Sequence, residues 1–204
     1  TQGVSSAASD VYKRQARYRA VDYDTTNKVW WDSSGNAYDV PSSSITGTAP
    51  TKTTSTGNGV SNTIDVVTGT TASKIVWPSG VLPSTYTLFH VTRYTSATRG
   101  RIFTAADTGG TNNWLSGFWN GANGVAFHSS WLTQYSTATH GGNWILSSDQ
   151  NSLYRSNGVQ RGTGGGTNAQ LAINSGYWGG EVSDWAIAEV IVYNTTLTAA
   201  QIRQ

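Results

Sequence analysis

Cysteine is absent, which removes disulfide frameworks, thiolate zinc sites and cysteine nucleophiles together. Methionine is absent too, so Thr1 is not expected to be a natural start. Charged residues make up only 12% of the 204 positions and the formal net charge is +2, against about a quarter charged in an average globular domain. That balance excludes a strongly basic nucleic-acid binder and an acidic tail. No apolar run approaches the roughly 18 residues of a membrane-spanning helix, since the best candidate, Ala186 to Val192, is interrupted by Glu189. Neither nucleic acid nor a membrane is an expected partner.

What the chain does contain is hydrophobic residues at 37%, aromatics at 11% and abundant glycine, a globular composition. Short runs rich in Val, Ile, Tyr, Trp, Phe and Thr recur at intervals of about 8–15 residues between Gly, Asn, Ser and Pro clusters, the rhythm of an antiparallel β-sandwich. Strands are expected at Arg17 to Tyr23, Ser61 to Val67, Ser73 to Trp77, Tyr86 to Tyr94, Gly100 to Thr104, Trp114 to Trp119, Gly124 to His128 and Asn143 to Ser148. Ser152 to Arg155 and Val159 to Arg161 flank an Asn157-Gly158 hairpin turn, and Ala169 to Asn174 and Trp185 to Tyr193 complete the set. In the last strand Trp185, Ile187, Ile191 and Tyr193 are expected on one face, with Ala186, Ala188, Val190 and Val192 on the other. Pro41 to Gly59 reads as a long surface excursion. Thr198 to Gln201 form a T-x-x-Q capping box that announces a short C-terminal helix, and the natural chain is expected to continue beyond it.

Three segments carry a family resemblance. Trp31 to Tyr38 reads WDSSGNAY, Leu153 to Val159 reads LYRSNGV, and Trp185 to Ile202 reads WAIAEVIVYNTTLTAAQI. In this order they resemble the turn, hairpin and closing strand of the concanavalin A-like lectin/glucanase superfamily, in its laminin-G-like branch. The resemblance covers residues 16–204 and implies one all-β domain: a two-sheet antiparallel jelly-roll β-sandwich with a short C-terminal helix. It also implies an extracellular or surface-exposed setting. The stretch Asn112 to Trp131 is similar to environmental and algal-virus surface proteins, and Val4 to Gln15 resembles a translated adapter remnant of metagenomic sequences. Residues 1–15 are therefore set aside as a non-native segment.

Catalysis is not expected. Retaining glycosidases need carboxyls about 5–5.5 Å apart, whereas the only two glutamates, Glu181 and Glu189, stand eight residues apart, roughly 26 Å along an extended strand. The histidines His90, His128 and His140 have no short-spacing metal partner, and His90, inside an apolar strand, reads as structural. Tryptophan is what stands out, with nine. Sugars stack their C–H faces on aromatic rings while Asn, Gln and His bind their hydroxyls, so Trp119, Trp131, Tyr135, Trp178, Asn113, His128 and Gln134 are the candidate carbohydrate-binding residues. The competing role for the aromatics is core packing, since Trp114 and Phe118 share one strand face and Leu115 and Trp119 the other. Relatives that bind calcium do so through loop oxygens, which makes Asp107 and Asn112 the candidate Ca2+ ligands; a turn-stabilising Asp is the competing role, and no cofactor is required. Asn194-Thr195-Thr196 is an N-glycosylation sequon or an ordinary turn. The expected function is a non-catalytic recognition module for a neutral polysaccharide or glycoprotein glycan. The alternative is an assembly domain of a fibre, virion or secreted complex, forming a homo-oligomer or larger surface assembly without sugar.

Overall fold

The computed structural model describes residues 13–134 and 138–203. It contains seventeen strands: β1 (Arg14–Arg19), β2 (Tyr23–Asp24), β3 (Val29–Trp30), β4 (Ile45–Gly47), β5 (Thr51–Gly57), β6 (Val60–Gly69), β7 (Ser73–Val76), β8 (Thr87–Arg99), β9 (Phe103–Ala105), β10 (Trp114–Trp119), β11 (Ala122–His128), β12 (Thr139–His140), β13 (Ile145–Gln150), β14 (Leu153–Ser156), β15 (Val159–Thr163), β16 (Leu171–Ile173) and β17 (Ser183–Tyr193). One short helix, α1 (Ala199–Ile202), closes the described chain. The larger sheet runs β15-β14-β13-β8-β17-β6-β5, with β1 also paired to β17, and the second runs β12-β11-β10-β9-β16-β7-β4. Every pairing within them is antiparallel. This is the expected two-sheet sandwich.

Between the sheets lies an aromatic core. Trp30, Trp77, Trp114 and Trp185 are fully buried, as are Tyr18, Tyr86, Tyr94, Phe103 and Phe118. Their rings meet edge-on or tilted, for example Tyr18 with Trp77 at 6.0 Å and Tyr94 with Phe118 at 4.8 Å, the geometry the ring quadrupole favours. Trp144 is 7% exposed, so five of the nine tryptophans serve packing, and Trp31, Trp119, Trp131 and Trp178 remain at the surface.

Local chemistry shapes the turns as their residues predict. Asp32 accepts the backbone N–H groups of Arg17, Ser34 and Tyr38 and the Ser34 hydroxyl, tying the WDSSGNAY loop to β1. Asn157 and Gly158 both have positive φ, 50° and 76°, as a tight type I′ hairpin requires. The Thr198 and Gln201 side chains cap α1 reciprocally.

Two expectations are corrected. The excursion from Pro41 to Gly59 holds β4 and the whole of β5. These are edge strands in which only Ile45 is apolar and buried, the rest being Thr, Ser, Lys and Gly with most side chains in water, so they lack the apolar alternation that marks a half-buried strand. In β17 a bulge at Ala188, between the pairs Ile187–Thr92 and Glu189–Val91, shifts the alternation by one residue. Trp185, Ile187, Val190 and Val192 therefore all enter the core, while Ile191 and Tyr193 face out along a groove with Phe89 and Leu146. Glu189 also faces out, held by the Arg17 guanidinium at 2.7 Å. β1 begins at Arg14, so Arg14 and Gln15 of the set-aside segment belong to the sheet.

One end of the interlayer space is polar. His90 in β8 is fully buried, its Nδ1 within 3.0 Å of Thr92 Oγ1 and its Nε2 within 3.2 Å of Ser116 Oγ, and burial lowers its pKa to about 3. His128 in β11 and Asp149 in β13 join the two sheets there with no side-chain exposure. Among the described residues no helix is long and apolar enough to cross a membrane.

Candidate ligand-binding surface

The outer face of the second sheet is built by alternation in β10 and β11. With Trp114 and Phe118 committed to the core, Leu115 and Trp119 project outward, where Leu115, Ala122, Val125, Trp119 and Phe127 form a separate apolar cluster. Trp131, 41% exposed, stands on that cluster. Its ring centroid lies 5.1 Å from Phe127 and 5.2 Å from Trp119, both edge-on.

A polar chain leads from Trp119 across the face. Trp119 Nε1 donates to Glu181 Oε2 at 3.0 Å, and the same oxygen accepts from Arg101 Nε at 2.6 Å. Arg101 is 4% exposed; its Nη1 donates to Asn113 Oδ1 at 2.7 Å and its guanidinium lies 4.9 Å from the Trp178 ring centroid. Tyr177, 58% exposed, meets Trp178 edge-on at 5.1 Å. Burial lowers the Arg101 pKa from its ordinary value while the Glu181 charge works against that shift, so the guanidinium, which stays protonated in proteins, is neutralised where it sits. Beside Trp119 opens a cleft of about 450 Å³ lined by Thr98, Arg99, Asn120 and Glu181.

Of the residues singled out from sequence, Trp119, Trp131, Trp178 and Asn113 thus belong to one connected surface. Gln134 is exposed just beyond Trp131, and Tyr135 lies outside the described residues. His128 is corrected: at 1% exposure it lies inside the sandwich, stacked on Trp114 with centroids 5.2 Å apart and planes at 13°. It pairs across the sheet with Trp114 and so shares its inward face. Asp107 accepts the backbone N–H groups of Gly109 and Asn112, a turn, and Asn112 Nδ2 donates to Asn168 O. No group of three or more His, Asp or Glu able to hold a metal occurs among the described residues. Sequence reasoning missed Arg101 and Tyr177, and weighed Glu181 only as a catalytic acid. The available signal was that an arginine and one of only two glutamates bound the Gly- and Trp-rich half of the chain.

The architecture defines a two-sheet β-sandwich module with an aromatic outer face. Comparison with solved structures agrees on fold. The chain is similar to domain 4 of AbnA, a GH43 extracellular arabinanase from Geobacillus stearothermophilus solved in complex with arabinotriose, at 21% identity and a TM-score of 0.60, covering 93% of this chain and 96% of that one. It is similar to Trypanosoma rangeli sialidase in complex with sialic acid at 12% identity and 0.56, covering 94% of this chain but 32% of the sialidase. The binding domain of Paraclostridial Mosquitocidal Protein 1 matches at 10% identity and 0.54, with 94% and 51% covered. At these identities the likeness is one of β-sandwich fold. No family model matches the sequence, and no curated protein matches it.

Proposed function

We propose that this chain is a non-catalytic, extracellular recognition module that binds a neutral polysaccharide or glycoprotein glycan across the outer face of the second sheet. The observation that carries the reading is the connected row from Trp131 through Trp119, Glu181 and Arg101 to Trp178 and Tyr177. Rings at both ends offer faces for sugar C–H groups, and the half-exposed Glu181 between them offers carboxylate acceptors whose charge buried Arg101 offsets, which suits hydroxyl-rich neutral ligands. The similar arabinanase domain was solved in complex with arabinotriose, which supports this ligand class. Against turnover, Glu181 serves this face while Glu189 is bound to Arg17 on the outer side of the other sheet, so they do not form a glycosidase pair.

A glycan array that includes arabinan, laminarin, agarose, alginate and xylan tests the reading, with Trp131→Ala as the control: wild type binds and the variant binds less. An array with no binding overturns it. One observation favours assembly instead, the apolar groove of about 240 Å³ between α1 and the larger sheet, lined by Phe89, Leu146, Ile191, Tyr193 and Ile202. Self-association in sedimentation, together with an empty array, would establish that alternative.

A further inference from the structure

Trp30 and Trp31 are consecutive, and alternation sends them opposite ways. Trp30 is fully buried in the core, whereas Trp31 is 49% exposed and its side chain has no hydrogen-bond or ring partner among the described residues. An unpartnered exposed indole contributes little to folding, yet its base is rigid. The Trp31 N–H donates to Asp22 O at 3.2 Å, Trp30 Nε1 donates to Arg19 O at 2.8 Å, and the Asp32 turn follows directly.

Around this ring opens a shallow polar cleft of about 520 Å³, lined by Val21, Asp22, Asp24, Thr26, Trp31 and Lys52. Its polar groups are already ordered. Asp22 is held by both Arg19 Nε and Nη2, Asp24 accepts from the Thr26 and Asn27 backbones and from Asn27 Nδ2, and Lys52 Nζ donates to Val21 O at 3.3 Å. The hydrogen bonds lower the Asp24 pKa, and the Lys52 charge adds to that. A fixed aromatic plate beside ordered carboxylates and an ammonium, with Arg19 and Lys52 balancing Asp22 and Asp24, matches a neutral sugar ring: C–H groups against the indole, hydroxyls donating to carboxylate oxygens.

We propose that Trp31, Asp22, Asp24 and Lys52 form a second saccharide-contact surface, making the chain ditopic. The two surfaces share no residue. Lys52 lies on β5, which ends one side of the larger sheet, whereas β11, beneath Trp131, packs over β13 and β14 toward the opposite side. One molecule can therefore engage two saccharide segments, and linking two weak contacts raises avidity without a new interaction.

Affinity electrophoresis through gels carrying arabinan, laminarin, agarose, alginate or xylan tests this with wild type, Trp31→Ala, Trp131→Ala and the double variant. On any polysaccharide that retards wild type, Trp31→Ala is expected to weaken retention about ten-fold with an unchanged melting temperature, Trp31→Phe to restore most of it, and the double variant to lose more than either single one. Full retention of Trp31→Ala overturns the second surface alone, and full retention of Trp131→Ala overturns the first alone. If Trp31→Ala proves unstable, Lys52→Ala replaces it, with the same outcomes. Absence of retardation on all five polysaccharides overturns both.

Discussion

His128 links the two sheets through both ring nitrogens: its Nδ1 faces the Asn151 carbonyl at 3.1 Å and its Nε2 faces the Asp149 carboxylate at 3.3 Å, so each meets an acceptor. Only the doubly protonated imidazolium donates to both. Burial works against that charged form, but the Asp149 charge and the two hydrogen bonds outweigh it and leave the His128 pKa raised above 6.5. Removing one partner of a buried pair strands the other charge, so His128→Gln is expected to cost about 3 kcal/mol in urea denaturation at pH 6.

The two buried histidines give stability a maximum in pH. The contribution of His128, whose folded pKa is raised, is complete below 6.5 and declines as pH climbs through the raised value. That of His90, whose folded pKa is depressed to about 3, is complete above 6.5 and declines as pH falls toward 3. Denaturation midpoints from pH 4 to 9 should peak near 6.5, with His128→Gln flattening the alkaline limb and His90→Gln part of the acid limb. A profile rising steadily to pH 9 would contradict the His128 assignment, and an acid limb that His90→Gln leaves unchanged would contradict that of His90.

Trp131→Ala should weaken glycan binding by about 1–3 kcal/mol, the scale of a lost stacking contact, and leave the melting temperature nearly unchanged because the ring is 41% exposed. Trp119→Ala should weaken binding and also lower stability, since that ring packs with Leu115 and holds Glu181. Titration calorimetry beside thermal melts separates the two effects.

The glutamates should behave differently. Glu189→Gln is expected to bind as wild type does. Glu181→Gln removes the counter-charge of nearly buried Arg101 and should reduce both binding and stability, by roughly 1–2 kcal/mol in stability because Glu181 itself is 38% exposed. Neither variant nor wild type is expected to release reducing sugar from any polysaccharide that binds. Turnover abolished by either substitution would defeat the non-catalytic reading.

Asp32→Ala leaves the N–H groups of Arg17, Ser34 and Tyr38 without their acceptor, and should lower stability on the order of 3 kcal/mol. The urea midpoint should fall at constant slope, with binding at the Trp131 surface by the folded fraction intact.

Much of this was legible in the chain because local rules acted alone. The Asn157-Gly158 hairpin, the Asp32 turn and the Thr198–Gln201 cap each depend on neighbours in sequence, and each stands where the residues put it. β5 was hidden because a strand wet on both faces carries no hydrophobic period. Arg101 was hidden for another reason: its partner Glu181 is 80 residues away, and no spacing rule reaches across a sandwich. His128 was misplaced although its neighbour held the answer. Trp114 is inward by its own alternation, and the β10–β11 register sets His128 directly opposite it.

The bulge at Ala188 gives β17 one residue more than β8 needs beside it. That surplus makes position 188 a point where the gene can lose a codon without cost to orientation: Ile187 would be followed directly by Glu189, simple alternation would return, and Val190 and Val192 would keep their places in the core. β8 has no such slack at Leu88 or Phe89. A codon lost there would turn the flanking half of the strand inside out, exchanging buried for solvated side chains down its length.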